Sequence, residues 1–277
     1  MGHRTLLTGD VDVPVDDASR FGVFAPTQAQ KLLIALANAT WLGRGRARWL
    51  MSALIERIRP GPVDVERFGL KLRLHHAGTH YSEKKMLLKI ADYDREELAH
   101  LLRNARDTFH FADVGAHAGV YSYAVKAKCP AARIAAFEPL AYYCKRLAFN
   151  ARSNALADFH VVNAAVGARR EVGRFHFGDG SMFGKGPAAD VDIVPLYDTL
   201  VEKGFARLDG MKIDVEGYED RVLFPFFEAA PAEFRPKTIV IEHRHQHIWE
   251  NDCLALCASL GYRTVWRGAL NMVLERS

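Results

Sequence analysis

Chemistry in this chain is concentrated where carboxylates and glycines fall at the ends of apolar runs. The first such place is Asp113-Val-Gly115-Ala-His117-Ala-Gly119, which closes an extended apolar stretch from Phe109 and opens a helical pattern. Gly115 lets the backbone turn sharply and come close to a ligand. The helix start behind it offers free N–H groups and a positive dipole end, which suit an anionic group such as a carboxylate. Asp113 is an acceptor at the carboxyl end of a strand, where open α/β sheets hold their ligands. About 25 residues further on, a second buried run, Ala132 to Pro139, ends in Glu138, which can accept bonds from both hydroxyls of a ribose. Asn163, in the run from Phe159 to Gly167, fits either an adenine edge or a turn.

Two more acid-bearing strand ends follow: Asp214 with Glu216, and Glu242 with His243. A carboxylate or imidazole there can take a proton from an attacking hydroxyl, which makes Asp214, Glu216 and His243 the candidate catalytic groups. The same cluster, with His245 and His247 nearby, offers oxygen and nitrogen ligands for a divalent metal. Helix capping by these acids is the competing account. A divalent metal is thus an open alternative at this cluster and is not predicted.

A dinucleotide turn, G-x-G-x-x-G, would carry its second glycine where His117 stands. The turn therefore suits a nucleotide-like ligand without a buried pyrophosphate. S-adenosylmethionine fits that description, as do other nucleotides bound by α/β folds.

The elements that position these residues can be read from periodicity. Strand-like runs at 109–115, 132–139, 159–167, 209–217 and 238–243 alternate with helical stretches. The fourth and fifth are expected side by side, both beside the first. The tail, Tyr262 to Arg267 and Leu270 to Glu275, makes two strands joined by a turn too short for a helical crossover, so they are antiparallel. Five β–α units and a terminal hairpin predict a mostly parallel seven-stranded α/β sheet of the Rossmann-like, class I methyltransferase type. Between Val166 and Asp209 the alternation lapses. Arg174 to Gly178 reads as an extra strand, and Gly178 to Gly186 as a mobile substrate-side loop.

Ahead of the sheet, residues 1–25 read as a loose polar arm, followed by two amphipathic helices from Thr27 to Ile58 with a basic joint at Arg44, Arg46 and Arg48. Pro60-Gly-Pro62 marks the boundary between an N-terminal helical extension, 1–62, and a catalytic domain, 63–277. Val63 to Leu74 alternates around Gly69 as a hairpin, and Lys84 to Arg103 reads as one helix. His75, His76 and His80 share no helix face and are expected in a polar loop.

The 277 residues, 49% hydrophobic and 25% charged, are those of an ordinary globular protein. A net charge of +4 gives no footprint for nucleic acid. The four cysteines contain no C-x-x-C, so reduced thiols in a cytoplasmic protein are expected. No apolar run approaches membrane-spanning length, and no signal-peptide core stands at the start.

Taken in order, Asp113-Val-Gly-Ala-His-Ala-Gly-Val-Tyr-Ser122, Phe137-Glu-Pro139, Asn163-Ala-Ala-Val-Gly167, Asp198-Thr-Leu200, Lys212-Ile-Asp-Val-Glu-Gly-Tyr-Glu219 and Ile241-Glu-His243 resemble the FkbM family of S-adenosylmethionine-dependent methyltransferases. The resemblance covers roughly residues 63 to 277, and the Lys212 block is its most distinctive part. It implies methyl transfer, usually to a hydroxyl on a sugar or secondary metabolite, with S-adenosylhomocysteine as product. It implies cofactor contacts at Asp113, Gly115, His117 and Gly119 in the turn and at Glu138 on the next strand, helped by Tyr121, Ser122 and Asn163. His117 departs from the family's frequent Asn, and the helices before Val63 have no clear counterpart. These helices leave open a homo-oligomer. A small-molecule acceptor is expected, and neither nucleic acid nor membrane. Two other accounts compete: a nicotinamide-dependent oxidoreductase, disfavoured by the turn and the hairpin, and a non-catalytic cofactor-binding partner protein.

Overall fold

Residues 16–77, 81–103, 105–176, 182 and 187–276 are described by a computed structural model. Most of the N-terminal arm, His80, and the loop from Gly178 to Gly186 apart from Met182 lie outside the described residues. Two helices, α1 (Gln28–Ala39) and α2 (Gly45–Ile58), precede a hairpin of β1 (Val63–Arg67) and β2 (Leu70–Leu74). Thr27 caps α1 through a reciprocal box with Gln30, which fixes where the helix begins. Next come α3 (Tyr81–Leu88), α4 (Arg95–Leu102), β3 (His110–Val114), α5 (Val120–Lys128), β4 (Arg133–Phe137), α6 (Ala141–Ser153) and β5 (Phe159–Val162). Then follow β6 (Ala165–Gly167), β7 (Glu171–His176), β8 (Ala188–Pro195), α7 (Leu196–Glu202), β9 (Gly210–Ile213) and α8 (Glu219–Ala229). The chain closes with β10 (Thr238–Glu242), α9 (Cys253–Ser259), β11 (Tyr262–Arg267) and β12 (Asn271–Arg276).

The main sheet has seven strands in the order β11-β12-β10-β9-β3-β4-β5. Strands β10, β9, β3, β4 and β5 are parallel, and β12 runs antiparallel to both β10 and β11. This is the class I methyltransferase sheet. The strands read as continuous apolar runs because both faces are covered, as a parallel sheet requires. One face packs Phe111, Ile134 and Val240 against α1, α2, the hairpin and α5. The other packs Val114, Met211 and Ile241 against α8 and α9. From β3 the chain proceeds to β4 on one side and later returns to β9 on the other. The order reverses between β3 and β9, so a crevice opens at their carboxyl ends.

Several expectations change. The fifth strand, β10, pairs with the fourth and not with the first. The run from Phe159 to Gly167 is two strands: β5 stays in the main sheet, and β6 joins a separate sheet of order β6-β8-β7. The break falls at Asn163, whose amide donates to the carbonyls of Glu138 and Pro139. The extra strand is longer than expected and pairs antiparallel with β8. The single helix over 84–103 is interrupted between Leu88 and Arg95, where Asp94 takes a left-handed φ of 39°. His76 is wholly buried rather than in a polar loop, with Nδ1 3.0 Å from Ser52 Oγ.

Ile34, Ala37, Met51 and Ile55 place α1 and α2 in the same apolar cluster as the sheet. Their outer side leaves Leu32, Leu36, Trp49, Leu50, Leu54 and Ile58 exposed. Among the described residues, no helix is long and apolar enough to cross a membrane.

The closest approach in the sheet is at Gly115, with φ 79°. A β-carbon there would stand 1.9 Å from the carbonyl oxygen of Asp214, a backbone atom fixed by β9. Gly115→Ala should therefore destabilise the fold by at least about 2 kcal/mol. Urea denaturation checks this, and an unchanged midpoint would mean that the turn relaxes.

Candidate functional site

The crevice at the switch point is a cavity of about 400 Å³. Its floor is the carboxyl end of β3, from Asp113 to Ala118, with the end of β4 at Glu138 and the end of β9 at Lys212, Asp214 and Glu216. Tyr142 and Tyr143 of α6 form one wall. Tyr81, Ser82, Tyr93 and Asp94 form another.

Burial governs the floor. Asp113 is 2% exposed, and its Oδ2 accepts from the amide and the hydroxyl of Ser122. Burial nevertheless pushes its pKa up to about 6. Glu138 is 4% exposed; Oε2 accepts from the His117 amide at 2.8 Å and Oε1 from the Leu140 amide at 3.0 Å. Loss of water raises its pKa to about 7. An ionised carboxylate offers about four acceptor positions, so two remain for a ligand.

His117 takes a left-handed φ of 48° and stacks on Tyr143, ring centroids 3.9 Å apart. Burial lowers its pKa to about 4, leaving a neutral imidazole, and its Nδ1 is buried without a partner. The free amides expected at this turn are mostly used inside the protein. Gly115 and Ala116 both donate to the Phe137 carbonyl, and His117 donates to Glu138.

At the β9 end, Lys212 Nζ lies 3.0 Å from Asp214 Oδ2 and 3.2 Å from Asn271 Oδ1. Burial opposes its charge, but Asp214, with Asp94 and Glu242 nearby, outweighs burial and keeps the pKa above its ordinary value. Glu216 sits at φ 54° on the cavity rim.

Of the expected site residues, Asp113, Gly115, His117, Tyr121, Glu138, Asp214 and Glu216 line the cavity. Ser122 reaches it through Asp113. Gly119 shapes the turn from behind: at φ 78°, a β-carbon there would meet the Leu147 side chain at 2.4 Å. Asn163 is exposed, donates its amide to the turn after β4, and is not among the residues that line the cavity. His243 lies at the end of β10, beside the terminal hairpin. Its Nε2 faces the Gly268 carbonyl at 3.1 Å, in the turn between β11 and β12, and it does not line the cavity.

The wall from Tyr81 to Asp94 was not anticipated. Tyr121 donates its hydroxyl to Asp94 Oδ2 at 3.0 Å, and Tyr93 donates to Ser82 Oγ at 2.9 Å. A signal was present: Asp94-Arg-Glu-Glu97 has the D-x-x-E form of a helix start. In the fold, Asp94 makes no capping bond, because its carboxylate is turned to Tyr121 and Lys85.

The raised pKa of Glu138 gives a testable pH dependence. The folded chain holds this proton more tightly than the unfolded chain, whose ordinary value is 4.5. The resulting stability is full below about pH 4.5 and is lost as the pH rises through about 7. Between pH 5 and pH 8, the melting temperature of Glu138→Gln minus that of wild type should rise. A flat difference in a thermal-shift series would show that Glu138 ionises normally.

A family model described as a methyltransferase FkbM domain matches residues 113–264, more than half of the chain. Comparison with curated proteins returns no match. Solved structures similar to the chain include the METTL16 MTase domain, at 14% identity and TM-score 0.47, covering 83% of this chain and 79% of that one. TYW2 of M. jannaschii in complex with AdoMet is 13% identical, with TM-score 0.41, over 78% of this chain and 87% of that one. A precorrin-6y C5,15-methyltransferase from Geobacter metallireducens is also 13% identical, with TM-score 0.40, over 66% and 87%. The match begins at the carboxylate that ends β3 and runs into the terminal hairpin, taking in every strand end of the cavity floor: the chain belongs to the FkbM methyltransferase family.

Proposed function

We propose that the chain methylates a hydroxyl of a small acceptor, a sugar or secondary metabolite, with S-adenosylmethionine as donor. One observation carries the donor assignment. A buried carboxylate with unused acceptor positions, Glu138, and a histidine whose Nδ1 is buried without a partner, His117, both line one cavity beside the β3 turn. A ribose diol and a polar base edge would satisfy both. When bound, the donor supplies an electrophilic methyl on a sulfonium.

The chain's own contribution is position and a proton acceptor. The acceptor hydroxyl must approach from the side of the cavity away from Glu138, where Asp214 and Glu216 stand. Their carboxylates can accept its hydrogen bond, orient the oxygen toward the donor and receive its proton. Lys212, paired with Asp214, keeps that carboxylate from turning away. Tyr81, Tyr93 and Tyr142 give the cavity aromatic faces with polar tips, which suits a polyhydroxylated acceptor.

Calorimetric titration with S-adenosylmethionine and S-adenosylhomocysteine tests the donor. Both should bind wild type, and Glu138→Gln should weaken both by about tenfold or more, from charge-assisted bonds worth roughly 1.5–3 kcal/mol each. No binding to a folded chain, or preference for a nicotinamide dinucleotide, would refute the assignment. Asp214→Asn should lower kcat by about 100-fold while leaving the donor's affinity within twofold, in line with loss of a positioned proton acceptor. Steady-state kinetics on a panel of hydroxylated acceptors would reveal an unaffected kcat.

A further inference from the structure

The buried carboxylates around the carboxyl end of the sheet differ in how well the protein satisfies them: Glu97, 7% exposed, accepts from the side-chain amide of Asn271 at 3.3 Å. Asp113 and Glu138 each accept two bonds. Glu219 accepts from the amides of Val215 and Gly217 and from Trp249 Nε1. Asp220 accepts from the amides of Glu250 and Asn251 and pairs with Arg221. Glu242 is different. It is 5% exposed, and the one polar contact of its carboxylate among the described residues is His245 Nδ1, at 3.2 Å.

That nitrogen is shared, since Glu216 Oε2 also lies 3.2 Å from it. One N–H cannot satisfy two carboxylates. The nearest lysine, Lys212, is committed to Asp214 and Asn271, and Arg244 is exposed and makes no hydrogen bond with the group. Burial, with Asp214, Glu216 and Glu219 nearby, makes the charge on Glu242 costly.

We propose that Glu216, Glu242 and His245 bind one divalent transition-metal ion at the rim of the cavity. One ligand atom from each lies within 4.8 Å of the others. Ligands about 2.0–2.2 Å from an ion stand roughly 3–4 Å apart, so small side-chain adjustments close the site. Two carboxylates and an imidazole suit Mn²⁺, Fe²⁺ or Zn²⁺ better than the all-oxygen sites of Ca²⁺ and Mg²⁺. Three protein ligands leave coordination positions open, as in sites that bind substrate. Glu216 lines the cavity, so an acceptor oxygen can fill one of them and become more acidic. This last role rests on the proposed methyl transfer; the binding itself does not.

The test is titration of the full chain, stripped of metal and free of donor, with Mn²⁺ followed by electron paramagnetic resonance. Wild type should retain one Mn²⁺ per chain and melt at a higher temperature with it. Glu242→Gln and His245→Gln should each weaken retention at least tenfold. Glu242→Gln keeps the shape and removes a buried charge, so it should fold, and Glu216→Gln on the rim provides a second variant with the same expected loss. Failure of wild type to retain Mn²⁺ or Zn²⁺, or retention undiminished in all three variants, would overturn the site. A donor titration run in parallel separates the two proposals. Donor binding without metal refutes only the metal site, and metal binding without donor refutes only the donor.

Discussion

Carboxylates taken out of water must find donors, and the turns at the carboxyl end of this sheet are arranged by that requirement. Asp113 is answered by the first turn of α5, Glu138 by the turn amides at His117 and Leu140, and Glu219 by the loop after β9. The bond from His117 to Glu138 ties the end of β4 to the turn after β3, and the others hold their own strand-to-helix turns, so satisfying the acids also fixes the cavity floor. The left-handed conformations at Gly115, His117 and Glu216 belong to the same arrangement, because they fall in the turns that line the crevice. Burial outweighs the donors, which favour the charged form, so the pKa values of Asp113 and Glu138 remain raised.

The floor was legible in the sequence because it is local. A strand, a turn and a helix start in consecutive residues announce Asp113 and Gly115, and the strand period brings Glu138 and Asp214 to the same end of the sheet. What a strand end leaves open is orientation. Asn163 and His243 both lie at strand ends, yet one turns to the carbonyls of a neighbouring loop and the other to the terminal hairpin. No periodicity in a strand predicts which way its last side chain turns. The break at Asp94 was missed because the apolar pattern continues on either side of it, and the bond from Tyr121 that holds Asp94 crosses 27 residues.

The N-terminal helices read as an extension, but their packing makes them part of the wall behind the sheet. Ile55 and Ala37 are fully buried, and Gln30 donates to the carbonyl of Ile55, joining α1 to α2 from within. Arg73, 1% exposed, pairs with Asp64 and reaches the carbonyls of Asp16, Ser19 and Arg20, so the segment before α1 is anchored to the hairpin. A guanidinium so enclosed acts as a fastener whose five donors suit converging carbonyls better than a lysine would.

The interruption between α3 and α4 has a consequence for how such a cavity can diverge. Its floor lies inside the stretch shared with the family, whereas Tyr81, Ser82, Tyr93 and Asp94 lie before that stretch begins. The two walls thus come from different parts of the chain and meet through the apolar cluster that Met86 and Leu88 share with Tyr121, the buried pair of Arg146 with Glu83 and the bond from Tyr121 to Asp94. Substitutions in the short segment between the helices can reshape one wall while the strand ends stay under their own constraints. Lineages built on this plan can change the upper wall and conserve the lower one, so variation along the gene should be unevenly distributed across a single pocket.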